Sequence, residues 1–235
     1  DFVHVPTSLL GMVDAAIGGK TGVDHARGKN LIGAFSQPRC VVVDPALLDT
    51  LPERNLRDGL AELVKHGFIL DEELVTQVEA HNGDLALLAS EDLIARSVAI
   101  KARVVSQDER DWGMRTLLNY GHTVGHGVEA AAGYSGYLHG EAVAIGMNAA
   151  GWIAREIGVL TPEAYERQKW ILRVCGLPER AQGITAGAIL EAMRSDKKVS
   201  AGDISWVLLD RIGHALVLDN VLDEVVEEAV ATVIE

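Results

Sequence analysis

Cysteine is almost missing from this sequence. Cys40 and Cys175 lie far apart and in no metal-like spacing, so a disulfide framework is unsupported. A reducing compartment, the cytoplasm, is the expected setting. Cations are scarce as well: 21 Lys and Arg stand against 34 Asp and Glu, a formal net charge of −13. That balance argues against a general nucleic-acid footprint. An acidic protein that binds an anion must concentrate its cations locally, so lysines and arginines inside motifs carry extra weight. Long hydrophobic runs are missing too. The longest apolar stretch, Ala142 to Ala154, contains Asn148 and lies between Glu141 and Arg155. It falls short of the roughly 20 residues that a membrane span needs. No signal peptide, internal repeat, low-complexity tract or long linker is visible. An initiating methionine is absent, and Phe2–Val5 already reads as a strand under way, so the expectation is a truncated or processed chain.

The chain does have apolar residues enough for a core: 48% of its 235 residues are hydrophobic. This length suits one large domain, or one domain plus part of another. Phe2–Val5 and Cys40–Val43 read as buried strands, with a glycine-rich loop region from Gly18 to Gly33 between them. After Pro52 the pattern changes to helical spacing. Helices are predicted over Asn55–Phe68, Glu72–His81, Glu91–Gln107, Arg115–Ala132, Gly140–Ile157, Pro162–Cys175 and Thr185–Ser195. A short hairpin is predicted from Ile204–Leu209 and Ala215–Val217 around Ile212-Gly213, with a last helix from about Leu222. The predicted fold class is an α/β remnant of a nucleotide-binding domain (residues 1–52) followed by a mainly α-helical metal-binding domain (residues 53–235).

The strongest chemical signal is Asn119-Tyr120-Gly121-His122-Thr123-Val124-Gly125-His126. His122 and His126 are four apart and share a face if helical. His139-Gly140-Glu141 opens the next predicted helix. Imidazole suits zinc, and a catalytic zinc takes three protein ligands and keeps one position open. Taken alone, two histidines four apart are as compatible with a packed or surface pair; the third shifts the reading towards a metal. Glu62, flanked by apolar residues in Gly59-Leu60-Ala61-Glu62-Leu63-Val64-Lys65, is the best carboxylate candidate. Lys65 shares its face and can pair with it, inside or at the surface.

Asp14-Ala15-Ala16-Ile17-Gly18-Gly19-Lys20-Thr21 invites a P-loop reading, but Asp14 stands where that motif requires glycine. With Gly28-Lys29-Asn30, the segment can still hold a phosphate or dinucleotide through backbone N–H groups and cations. Arg115, Asn119, His122 and His126 are spaced by four, three and four, which predicts a polar stripe along one helix. Lys101 lies in another predicted helix. Asp196-Lys197-Lys198 is a weaker cue, because charge runs are usually solvated.

These motifs, together with Pro6-Thr7-Ser8-Leu9-Leu10, Gly33-Ala34-Phe35, Thr50-Leu51-Pro52, Asp108-Glu109-Arg110 and Leu138-His139-Gly140-Glu141-Ala142, resemble the 3-dehydroquinate synthase family of sugar phosphate cyclases, in order and over nearly the whole chain. The resemblance implies zinc held by Glu62, His122 and His139, with cobalt an acceptable substitute. It makes His126 a substrate-contacting or proton-handling residue. Substrate-holding groups would be Lys20, Asn30, Lys65, Lys101, Arg115, Asn119 and Lys197. Asp14 and Lys29 would lie between substrate and cofactor, and Thr7, Ser8, Leu10, Thr50 and Leu51 would touch NAD. A homodimer is also implied. The family's glycine-rich pyrophosphate segment has no counterpart in these 235 residues. Asn55 and Asp111 stand where glutamate is common.

The implied reaction converts 3-deoxy-D-arabino-heptulosonate 7-phosphate to 3-dehydroquinate and phosphate, with NAD taking and returning a hydride. Sister sugar phosphate cyclases are the nearest alternatives, and the retained Arg115, Asn119 and Lys197 favour a substrate with a carboxylate. A metal-dependent polyol dehydrogenase would have no use for so many anion-binding cations. A zinc-binding half without turnover is a third reading for the chain as given.

Overall fold

A computed structural model of the chain describes residues 1–25, 28–109, 113–195 and 205–235, without the side chains of 23–25 and 28–31. Two central helices organise it. Helix α1 (Glu53–Leu70) starts after the extended Pro52, with Glu53 placed favourably at the positive end of the helix dipole. From Asp58 to Ile69 every residue of α1 is buried, so the helix runs through the interior and any charged group on it must find a partner there. Helix α6 (His139–Glu156) is the second, almost wholly buried from Gly140 to Ala154; the apolar stretch noted in the sequence belongs to it. Among the described residues no helix is long and apolar enough to cross a membrane.

Around these two pack α2 (Glu72–His81), the single turn α3 (Leu85–Leu88), α4 (Glu91–Gln107), α5 (His122–Ala131), α7 (Pro162–Val174), α8 (Ala186–Ser195) and α9 (Asp223–Thr232). Their ends follow local chemistry. Asp71 accepts hydrogen bonds from the Glu73 and Leu74 amides and caps α2. Thr161 caps α7 with Pro162 at its first position. The β5–β6 hairpin (Trp206–Arg211 and His214–Leu218) turns through Gly213 at φ +84° and packs on α1 and α6. The predicted start of that hairpin, Ile204, lies outside the described residues.

The N-terminal segment shares this core: Leu9, Met12, Val13 and Leu48 are buried with the helical side chains. Strands β1 (Val3–His4) and β4 (Cys40–Val41) pair in parallel, Val3 opposite Cys40. They were expected to be buried, but Val3, Val5 and Val42 are about half exposed, because among the described residues only two strands pair and no second layer covers them. The glycine-rich region contains an unpredicted antiparallel hairpin, β2 (Val23–His25) and β3 (Gly28–Ile32). A π-helical turn spans Gly11–Ala15, and a 3-10 turn spans Pro45–Thr50.

One helix prediction needs correction. Arg115–Ala132 is not a continuous helix but a 3-10 turn (Met114–Asn119), a break at Tyr120-Gly121, and then α5. Gly121 adopts φ +78°, a left-handed conformation open to glycine at no steric cost. A Cβ there would also meet the Val143 carbonyl at 2.8 Å. The stripe from Arg115 to His126 is therefore cut in two.

Candidate metal and substrate site

The break at Gly121 makes His122 the first residue of α5, and His139 is the first residue of α6. The two helices approach closely because glycines line their contact: a Cβ on Gly146 would strike the Gly121 carbonyl, and one on Gly125 would meet the Ala142 carbonyl at 3.0 Å. Both histidines thereby face Glu62, midway along α1. The Nε2 atoms of His122 and His139 each lie 3.6 Å from Glu62 Oε1, and donor atoms of the three residues fall within 4.8 Å of one another. Metal–ligand bonds of about 2.1 Å at tetrahedral angles put donors roughly 3.4 Å apart, so the two Glu62–histidine spacings suit a three-ligand zinc site. Glu62 Oε1 is fully buried and has no hydrogen-bond partner among the described residues, a costly state for a carboxylate unless a cation occupies its other side.

The Nδ1 hydrogen bonds agree with this reading. His122 Nδ1 donates to the Tyr120 carbonyl at 3.2 Å, and His139 Nδ1 donates to Glu129 Oε1 at 3.2 Å. Both Nε2 atoms are then left towards Glu62. Burial, then Lys65, push His122 well below its ordinary value, so its imidazole is neutral and fit to ligate. Burial opposes protonation of His139 as well, but Glu129 and Glu62 prevail and raise it to about 10. His126 stands beside the triad, its ring 5.3 Å from His122 and 6.4 Å from His139.

Behind Glu62 lies a buried charge cluster. Lys65 Nζ contacts Glu62 Oε2 and donates to the Leu118 carbonyl at 2.5 Å, tying α1 to the turn that precedes Gly121. The pair is wholly buried, not a surface pair. Burial works against ionisation of Glu62, but Lys65 and His139 hold its pKa below the ordinary value. On the far side, Lys101 from α4 donates to Asp14 Oδ1 at 2.5 Å and to the Asp14 carbonyl at 2.7 Å. Burial again opposes, and Lys101 keeps Asp14 ionised. His66, one turn after Glu62, donates or accepts at Nδ1 with Ser97 Oγ (2.8 Å) and points Nε2 at Asp14 Oδ1, 3.9 Å away. His66, Ser97 and Glu129 escaped the sequence reading. The signal was there: each is a polar residue at helical spacing inside an otherwise apolar run.

Arg115 is buried and bonds to the glycine loop. Its two terminal nitrogens donate to the Glu109 and Gly18 carbonyls, each at 3.0 Å, and its amide is accepted by Asp108 at 3.0 Å. It thus fastens the glycine loop to the 3-10 turn, with Asn119 half-buried at that turn's end. Gly18 and Gly19 have φ of +107° and +68°. After them Lys20, exposed, bridges to Phe35 in an extended pairing. A P-loop would enter a helix there, so the structure agrees in rejecting that motif. Thr7 and Thr50 are exposed; Ser8, Leu10 and Leu51 are half-buried. The Ser8 hydroxyl accepts from the Gly11 amide at 3.2 Å. Leu10 lies against Gly59 of α1, where any Cβ would meet the Leu10 amide at 2.5 Å. Lys197 and Asp111 lie outside the described residues, as do the side chains of Lys29 and Asn30.

Comparison with known proteins shows what the chain resembles. The sequence pattern described as 3-dehydroquinate synthase C-terminal matches residues 59–199, and the one described as 3-dehydroquinate synthase N-terminal matches residues 1–58. A 3-dehydroquinate synthase from Synechococcus sp. is 46% identical over 238 residues, covering 99% of this chain and 65% of the relative. One from Nostoc punctiforme is 49% identical over 232 residues, covering 96% and 64%. The chain thus spans about 65% of the length of these relatives. Among solved structures, the 2-epi-5-epi-valiolone synthase of Streptomyces hygroscopicus, with NAD+ and Zn2+ bound, superposes with a TM-score of 0.90 at 31% identity. That match covers 98% of this chain and 65% of the other. A 2-deoxy-scyllo-inosose synthase complexed with carbaglucose-6-phosphate, NAD+ and Co2+ gives 0.84 at 26% identity, covering 97% and 66%.

Proposed function

The chain belongs to the 3-dehydroquinate synthase family, and we propose that it supplies the metal-binding part of an enzyme that converts 3-deoxy-D-arabino-heptulosonate 7-phosphate to 3-dehydroquinate and phosphate. The observation that carries this reading is the convergence of Glu62, His122 and His139 beside buried Lys65 and Lys101. Such a cluster suits a polyhydroxylated anion: donors for a metal, with fixed ammonium groups behind them.

When bound, a divalent metal supplies Lewis acidity to neighbouring hydroxyls, and a nicotinamide supplies a reversible hydride acceptor. The residues here have more modest tasks. Glu62, held ionised by Lys65, balances cationic charge. Lys101 and Asp14 present a paired donor and acceptor that orient hydroxyls. His126, beside the triad and half-buried, is placed to take or return a proton at its imidazole. The exposed Thr7 and Thr50, with Ser8, Leu10 and Leu51, offer surface for the nicotinamide cofactor. They form no enclosing cradle by themselves, so cofactor binding is assigned to the whole protein.

The reading is tested on the full-length protein by phosphate release from the heptulosonate phosphate with NAD and zinc, followed by product identification. Release of phosphate with dehydroquinate formed, both lost on Glu62→Ala, is the expected outcome. Turnover only with a substrate lacking the carboxylate would move the protein to a sister cyclase.

A further inference from the structure

Glu129 lies on α5, seven residues after His122, with its side chain 8% exposed. A carboxylate there is costly to bury and needs a reason. Its Oε1 is 3.2 Å from His139 Nδ1. A carboxylate only accepts, so Nδ1 carries a hydrogen, and Nε2, 3.6 Å from Glu62 Oε1, is the nitrogen left for a metal, which would displace the proton that the ring holds there without one. His122 obtains the same fixed tautomer from a backbone carbonyl, that of Tyr120. His139 is the more exposed of the two rings, 29% against 15%, and its Nδ1 relies on a side chain.

We propose that Glu129 is a positioning residue: by accepting the Nδ1 hydrogen of His139 it fixes that ring's tautomer and orientation, so that Nε2 faces the metal position. This rests on the reading of Glu62, His122 and His139 as metal ligands. The backbone that carries His139 is held by other groups. Asp58 accepts from the Gly140 amide at 2.5 Å, and Glu141, clamped by Arg54, accepts from the Leu138 amide at 2.9 Å. Glu129 thus acts on the ring and leaves the helix start to Asp58 and Glu141. Ligand histidines are commonly oriented in this way, and loss of the outer partner weakens metal binding by about 10- to 100-fold.

The test uses the full-length protein freed of metal, titrated with Co2+ while its visible absorption is followed, and then with Zn2+ in competition. Three variants are compared: Glu129→Met, Glu129→Gln, and Asp71→Ala as a destabilised control remote from the site. The expected result is one metal per wild-type chain. Glu129→Met should bind about 10- to 100-fold more weakly with an altered cobalt band. Glu129→Gln, which keeps an acceptor, should stay within a few fold, and Asp71→Ala should bind normally despite a lower unfolding midpoint. Wild-type affinity and spectrum in Glu129→Met would overturn the proposal, as would equal losses in Met and Gln. Should Glu129→Met not fold, nitrogen NMR of the zinc-loaded wild type decides: a His139 ligated through Nδ1, or without hydrogen at Nδ1, rejects it. Failure of the wild-type protein to take up stoichiometric metal would overturn the metal site itself, and this proposal with it.

Discussion

Gly146, in the middle of α6, lies directly against the carbonyl of Gly121, the residue before the donor His122. The contact leaves no space for a Cβ, so the position of one proposed metal donor depends on a missing side chain on the helix that carries the other. Replacing Gly146→Ala should push α5 from α6 at their closest point. Overpacking of this kind costs about 1–3 kcal/mol. Thermal unfolding should show the lower midpoint, and zinc titration a weaker site. An unchanged zinc affinity would mean that α5 can shift without moving His122.

Lys65 balances Glu62 inside the protein, and a metal would do so from the other side. Lys65→Met leaves the carboxylate buried without its ammonium partner, a loss of about 3–5 kcal/mol in the metal-free protein. Zinc should restore more stability to this variant than to the wild type, because it supplies the missing positive charge. Unfolding midpoints with zinc and with chelator would show a larger difference for Lys65→Met. Equal differences would separate the two cations energetically.

His66 titrates in an informative window. Burial, with Lys65 nearby, lowers it to about 3, whereas an unfolded histidine titrates near about 6.5. Between those values the unfolded chain binds a proton that the folded chain refuses. Stability is therefore undiminished above about pH 6.5 and falls as the pH drops towards 3, by at most about 1.4 kcal/mol per pH unit from this group. His66→Gln keeps an amide for Ser97 and should flatten the slope. Urea unfolding at pH 7, 6 and 5 in chelator would check it; parallel slopes would reject the assignment.

Asp71 joins a helix cap to an ion pair. It caps α2 and accepts from Arg96 Nε at 2.7 Å and from a terminal nitrogen at 2.9 Å. Those Arg96 bonds hold its pKa below the ordinary aspartate value despite partial burial. The contribution is present above the unfolded aspartate range, near about 4, and is lost as the pH falls through the lowered folded value. Asp71→Ala should cost about 1–2 kcal/mol at pH 7, most of it the cap. The gap to the wild type should narrow on acidification. A gap constant from pH 7 to pH 3 would assign the whole loss to packing.

Much of this was legible in the chain alone. Hydrophobic spacing marked α1, α2, α4, α6 and α7 to within a few residues, because an amphipathic helix must repeat its apolar face whatever it packs against. The residue types of a metal site, Glu62 with His122 and His139, stood out as charged or imidazole groups in apolar surroundings. Spacing alone would add His126 to the candidate ligands, whereas the structure groups His122 and His139 with Glu62 and leaves His126 beside them. That grouping depends on where one helix begins relative to another. The same limit explains the failed helix over Arg115–Ala132: its polar stripe has good helical spacing, but Gly121 takes a left-handed conformation and packs against α6 where a Cβ would clash.

By itself, then, the sequence determined the helical repertoire and the candidate donor types, since both follow from local periodicity and residue type. Only the tertiary structure decided that His122 and His139 start two helices pressed together at glycines, that Arg115 turns to the glycine loop, and that Glu129 meets His139. These are relations between residues distant in the chain. They are settled by which backbones approach closely enough to touch, a property of packing that no single segment encodes.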